Sequence, residues 1–76
     1  MKPDDMTCKI LEYLRERKMT AADIQVITEI PGSTLYRRLK ELVSRGVIKG
    51  IQEDGITFYE LTEAGELLYE IKCLTL

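Results

Sequence analysis

The sequence predicts an α+β fold in which three helices precede a β-hairpin and a fourth helix follows it. Apolar residues recur at helical spacing through about residue 45, whereas the segments after Gly46 are rich in β-branched and aromatic residues. An Asp54-Gly55 pair separates those two strand-like segments. Both central positions of a two-residue hairpin need positive φ, so Asp-Gly favours a tight turn there.

Local signals place the first two helices. Helix 1 is predicted within residues 4–18, because its apolar residues form one stripe and its terminal charges suit the helix dipole. The second helix is predicted at about residues 21–28, where Thr20 is a natural N-cap and Asp23 holds the capping-box position. Pro31 and Gly32 end it, since proline disfavours helical geometry in the residue before it. The side chains expected to be buried from this helix are Ala22, Ile24 (partly) and Ile27.

The third helix is predicted from its cap, Ser33, to about residue 45, with Gly46 as the first residue beyond its end. Successive residues turn by about 100°, so an apolar stripe and a polar face lie on opposite sides. The core stripe is predicted to comprise Leu35, Leu39, Leu42 and Val43. The polar face comprises Ser33, Arg37, Lys40 and Ser44, flanked by Thr34, Glu41 and Tyr36, with Arg38 and Arg45 nearer the core.

Positive charge is concentrated around this helix although the chain as a whole is acidic. Residues 32–50 hold five basic groups and one acid, whereas the rest of the chain holds six basic and twelve acidic groups. Such an uneven distribution of charge suits a protein that presents one face to a polyanion. An ordinary solvated face, in which Glu41 pairs with Arg37 and Arg45, is the alternative. Arg38 is expected to be structural, with a packed stem and a head paired to an acid.

The second half of the chain is predicted to form a hairpin and a last helix capped by Thr62. On the second strand, one face carries Thr57, Tyr59 and Leu61, and the other carries Ile56, Phe58 and Glu60. The leucines of the last helix are expected to reach the core, and Tyr69 and Cys73 form a second apolar strip. A helix that is apolar on more than one side needs a partner, so a homodimer is predicted, with helix 1 assisting. Its interface is assigned to Leu67, Leu68, Ile71 and Leu74.

Composition excludes several classes of protein. The 76 residues are expected to form one domain, residues 1–76, with a small core. No apolar run approaches the roughly 20 residues that cross a bilayer, and the N-terminus does not read as a signal peptide, so a cytoplasmic location is expected. The chain has no His, no CxxC and no Gly-rich phosphate loop. Neither an enzyme nor a metal or cofactor site is therefore predicted.

The two cysteines, Cys8 and Cys73, lie near opposite ends of the chain. In a reducing cytosol the favoured interpretation is two partly buried free thiols that behave as small hydrophobic residues. A redox-sensing pair is the alternative, and it requires the two terminal helices to pack together.

Two motifs resemble those of a known family. The segment STLYRRLKELVSRGVI is similar to a recognition helix followed by Leu-x-x-x-Gly-x-Ile, and YELTEAG is similar to the Tyr-x-Leu-Thr-x-x-Gly that follows a wing. With this order of elements, nearly the whole chain resembles the winged helix-turn-helix domains of small bacterial and archaeal transcription regulators of the PadR, ArsR and MarR groups.

This resemblance implies binding to double-stranded DNA, with the third helix in the major groove and the hairpin wing beside the backbone. The groove is about 12 Å wide and admits a helix, whose N-terminal half reaches base edges. The candidates for base contacts are therefore Ser33, Thr34 and Arg37. The candidates for phosphate contacts are Tyr36, Lys40 and Ser44.

The wing departs from the family pattern, because its tip carries Glu53 and Asp54 where DNA-binding wings usually carry Arg or Lys. Carboxylates repel phosphates, so the wing is expected to stay off the DNA backbone, or the domain to have another use. The alternative function is a protein–protein interaction module with little or no DNA binding. Its docking surface would then be Ile56 and Phe58 on the outward face of the hairpin.

Overall fold

The computed structural model describes residues 5–74. The predicted α+β architecture is confirmed, with an additional short strand and a π-helical turn. The elements are α1 (Asp5–Glu16), β1 (Met19–Thr20), α2 (Ala21–Thr28), α3 (Gly32–Ser44), β2 (Ile48–Glu53), β3 (Ile56–Leu61), α4 (Glu63–Leu68) and the π turn (Tyr69–Cys73). In this part of the chain no helix has the length and apolar character needed to span a membrane.

The predicted capping holds at α2 and fails at α3. The Asp23 amide donates to the Thr20 hydroxyl oxygen at 3.1 Å, and the Thr20 amide donates to the Asp23 carboxylate at 3.2 Å. This reciprocal pair is the expected capping box. The prediction that Ser33 caps α3 is wrong, because the helix begins at Gly32 and its N-cap, Pro31, has no side-chain donor or acceptor.

The end of α3 follows the predicted glycine signal. Gly46 has a φ of 76°, a left-handed conformation that glycine adopts at little cost. Its amide donates to the Val43 carbonyl at 3.0 Å, and the Val47 amide donates to the Leu42 carbonyl at 3.2 Å. These two bonds form a Schellman motif, which turns the chain from α3 into β2.

The sheet has three antiparallel strands in the order β1-β3-β2. Asp54 and Gly55 both have positive φ, 53° and 77°, which confirms the tight hairpin turn. The sequence gives no sign of β1, in which Met19 lies opposite Tyr59 and Thr20 opposite Phe58. A strand of two residues is too short to leave a periodic pattern in a sequence.

The first three helices and the base of the sheet enclose one hydrophobic core. Ala22 is exposed, contrary to prediction, because it lies two residues from the buried Ile24 and so points away from it. Val43 is 40 % exposed, so the stripe of α3 that reaches the core narrows to three leucines. The largest fully buried side chains are Ile10, Leu11, Ile24, Leu35, Leu39, Leu42 and Ile48.

The C-terminal segment departs most from the prediction. Tyr69 is buried, and Leu68 and Cys73 pack against the core. By contrast, Leu67 and Leu74 are each 53 % exposed, so the prediction that the leucines of this helix reach the core is wrong for these two. The second apolar strip, Tyr69 and Cys73, is the side that faces inward, because the C-terminal segment packs on α1 through that side.

A disulfide joins Cys8 of α1 to Cys73 of the π turn, with the two Cα atoms 5.6 Å apart. The favoured interpretation of two free thiols is therefore wrong. The chain packs its terminal helical segments together, which is the condition that the alternative required. The two residues are 65 positions apart, so no local pattern could have revealed their proximity.

Candidate nucleic-acid interface

The solvent face of α3 is the candidate interface, and the core holds this helix from behind. Leu35, Leu39 and Leu42 fix its orientation, since all three are buried in the core. The structure places the predicted residues on the accessible surface of this helix, with Thr34 half-buried at one edge. The exposed members are Ser33, Tyr36, Arg37, Lys40 and Ser44.

The cations of α3 fall into two groups according to their acidic partners. Arg38 is half-buried, its Nη1 donates to Thr7 Oγ1 at 3.4 Å, and the same atom lies 3.7 Å from Glu41 Oε1. Arg45 Nη2 lies 3.9 Å from the same Glu41 oxygen. The prediction that Arg38 is structural is confirmed. Of the two pairings in the alternative of a solvated face, Glu41 forms the one with Arg45 and not the one with Arg37.

Arg37 and Lys40 form no ion pair with any residue between 5 and 74. The reason is local: the Glu41 carboxylate lies toward the edge of α3 that carries Arg38 and Arg45, and these are the arginines with which it pairs. The positive charge of Arg37 and Lys40 is therefore available to an external anion.

The edge of α3 that carries Tyr36 is near the inner side of the hairpin. Tyr59 lies on that side, and its burial raises its pKa, with a further increase from the nearby Tyr36. On the same side, Gln52 Nε2 donates to Thr57 Oγ1 at 3.3 Å. The inner side of the hairpin therefore offers neutral polar groups, and Tyr59 lies near the edge of α3 that carries Tyr36.

The wing tip is less acidic than its sequence implies. Lys18 Nζ lies 2.7 Å and 2.8 Å from the two carboxylate oxygens of Glu53, and 5.1 Å from the centroid of the Phe58 ring. β1 brings this lysine to the hairpin from 35 residues away, so no local sequence pattern indicates the pair. Both tip carboxylates are exposed, but Asp54 is the one without an ion pair among residues 5–74.

A model of the helix-turn-helix domain family matches residues 4–51, which contain α1, α2, α3 and the start of β2. The match covers more than half of the chain. The chain belongs to the helix-turn-helix family.

Two solved structures share the fold of this helix-turn-helix protein. The adhesin competence repressor (AdcR) from Streptococcus pyogenes has a TM-score of 0.84 and 21 % identity, over 95 % of this chain and 56 % of that chain. The oxidized form of MarR from E. coli has a TM-score of 0.78 and 22 % identity, over 84 % of this chain and 48 % of that chain. The chain thus spans about half the length of these regulators. Its sequence matches none of the curated proteins.

These findings confirm the resemblance to winged helix-turn-helix regulators. In this helix-turn-helix protein α2 and α3 are the two helices of the motif, and the β2–β3 hairpin is the wing. At identities near one fifth, the similarity to the solved structures is a similarity of fold.

Proposed function

We propose that this protein is a DNA-binding transcription regulator whose α3 lies in the major groove of duplex DNA. The observation that carries the proposal is the pair Arg37 and Lys40, exposed on the second helix of the motif without an acidic partner in residues 5–74. Uncompensated cations on an exposed helix suit both phosphates and guanine edges. The membership of the helix-turn-helix family supports the same partner.

The individual roles follow from position along α3. Ser33, Thr34 and Arg37 belong to its N-terminal half and are proposed to reach base edges. Further along, Lys40 and Ser44 are proposed to contact phosphates, as is Tyr36 from the wing side of the helix. Ser44 is the weakest of these contacts, because its hydroxyl already donates to the Glu41 carbonyl at 3.0 Å and must give up that bond.

We further propose that the protein binds DNA as a homodimer. Leu67, Ile71 and Leu74 form an exposed apolar surface, which we call the terminal strip. Leu68, the fourth residue assigned to the interface, packs against its own core and contributes less. A two-fold dimer would present two copies of α3 to half-sites about one DNA turn, roughly 34 Å, apart.

The test is the fluorescence anisotropy of a labelled mixed-sequence duplex, titrated with protein over a series of salt concentrations. Arg37→Ala and Lys40→Ala are each expected to weaken binding about tenfold at low salt and to reduce the slope of log K against log salt by about one. Lys9→Ala is the matched control, since it removes one positive charge from an exposed helical position on α1. Its affinity and salt slope should equal those of the wild type.

Absence of binding at low salt, where even non-specific affinity is visible, would contradict the proposal. The protein-docking module would then be the better hypothesis, with Ile56 and Phe58 as its first targets. That alternative has less support, because Lys18 lies over the Phe58 ring and covers part of the surface.

A further inference from the structure

Two anchors hold the C-terminal segment to the rest of the protein, and the first is at α4. Gly65 packs so closely on the Val47 backbone that a Cβ at this position would collide with it. Arg15 Nη2 lies 2.8 Å from Glu66 Oε1, and the Arg15 guanidinium lies 4.7 Å from the centroid of the buried Tyr69 ring. Leu67 lies between these contacts, so its position is fixed by α4 itself.

The second anchor is the disulfide. Among the described residues after Tyr69, Cys73 packs against the core, whereas Glu70, Ile71, Lys72 and Leu74 are exposed. The Leu74 amide donates to the Tyr69 carbonyl at 3.0 Å, but this bond lies within the turn and does not attach it to α1. Ile71 and Leu74 are therefore held in place through the Cys8–Cys73 bond.

We propose that the Cys8–Cys73 disulfide controls the terminal strip as a docking surface for a second copy of this chain. In the oxidised protein Leu67, Ile71 and Leu74 form one ordered surface. Reduction leaves Leu67 in place and releases Ile71 and Leu74, so that association has to order them again. This inference rests on the homodimer of the proposed function and adds its regulation.

The strip favours a second copy over a polar ligand. Its three side chains are apolar and more than half exposed, and they recur every three or four residues from α4 through the π turn to Leu74. Glu70 and Lys72, on either side of Ile71, are exposed and carry opposite charges. A two-fold pair of strips can therefore place each Lys72 near a Glu70 of the second copy.

The bond is open to chemical exchange. An open groove lined by residues of α1 and the π turn reaches both sulfur-bearing residues; its lining is Asp5, Cys8, Lys9, Glu12, Tyr69 and Cys73. One thiolate of a dithiol attacks a sulfur of the bond, which gives a mixed disulfide and releases the other cysteine as a thiolate. The second thiol of the reductant then displaces the remaining cysteine and closes its own disulfide.

The exchange is balanced. One S–S bond breaks in the protein and one forms in the reductant, two electrons pass to the protein, and the two protons of the dithiol end on Cys8 and Cys73. A small-molecule disulfide reverses the reaction by the same exchange.

The test is sedimentation equilibrium of the whole chain, oxidised or reduced with dithiothreitol, with titration of free thiols to verify each state. Reduction is expected to raise the dimer dissociation constant about tenfold or more. The Cys8→Ser/Cys73→Ser double variant should resemble the reduced protein under both conditions. Leu67→Glu should be monomeric in both states, because a charge then lies in the part of the strip that does not move.

Hydrogen exchange supplies a second measurement that does not depend on the variants folding. Amides of residues 70–74 are expected to lose protection on reduction, whereas those of residues 65–68 keep it. Equal dimer affinity in a sample that titrates two free thiols would overturn the inference and leave the homodimer standing. A bond that dithiothreitol does not reduce in the folded protein would overturn it too. A monomer in both states would remove the homodimer as well, while DNA binding by a monomer is decided separately by anisotropy.

Discussion

α3 and the C-terminal segment each carry three large apolar side chains at sequence positions i, i+4 and i+7, but those of α3 are buried and those of the C-terminal segment are exposed. Those of α3 (Leu35, Leu39 and Leu42) are at most 2 % exposed, whereas those of the terminal strip (Leu67, Ile71 and Leu74) are at least 53 % exposed. On α3 the remaining faces are mostly polar, so periodicity alone selects the buried side. The last helix is apolar on two sides, and long-range contacts decide its orientation.

Removal of the disulfide that ties the C-terminal segment to α1 should have the largest effect on stability. The bond closes a loop across 65 residues, and the loss of this constraint on the unfolded chain corresponds to about 4 kcal/mol. Urea denaturation of the Cys8→Ser/Cys73→Ser variant, at one fixed protein concentration, should therefore show a midpoint well below that of the oxidised wild type. The reduced wild type is the control and should match the variant. A loss below about 1 kcal/mol would mean that the bond constrains the unfolded chain much less than its loop length predicts.

A matched pair of leucine truncations sharpens the comparison between the two helices. Leu39→Ala, at a fully buried position, should lower the free energy of unfolding by about 3 kcal/mol. Leu67→Ala removes the same atoms from an exposed position and should cost less than about 0.5 kcal/mol in dilute, monomeric protein. Equal losses from both variants would contradict the exposed placement of the terminal strip.

The features of the fold that could be predicted from the sequence are those that depend on residues close together in the chain. The Thr20–Asp23 capping box, the glycine at the end of α3 and the Asp54-Gly55 turn each depend on at most six consecutive residues. The parts that it missed join distant residues: β1 pairs with β3, Lys18 reaches Glu53, and Cys8 reaches Cys73. No local pattern carries that information.

The candidate site shows the same division. Periodicity placed Arg37 and Lys40 on the solvent side of α3, because the buried leucines fix the opposite side. It could not choose the partner of Glu41, since Arg37, Arg38 and Arg45 all lie at three or four residues from it. In the folded protein the Glu41 carboxylate lies near Arg38 and Arg45, so these two are its partners.

The smallest effect concerns two hydroxyl side chains that the sequence presented as equivalent helix caps. Thr20→Ala removes half of a capping box and should cost about 1 kcal/mol in thermal or urea denaturation. Ser33→Ala should leave stability unchanged, because α3 starts one residue earlier and Pro31 is its N-cap. If Ser33→Ala cost as much as Thr20→Ala, Ser33 would be the N-cap and α3 would not begin at Gly32. Because the Ser33 hydroxyl does not cap α3, it can contact DNA instead. Ser33→Ala should therefore lower the affinity for DNA in the anisotropy titration without changing the free energy of unfolding.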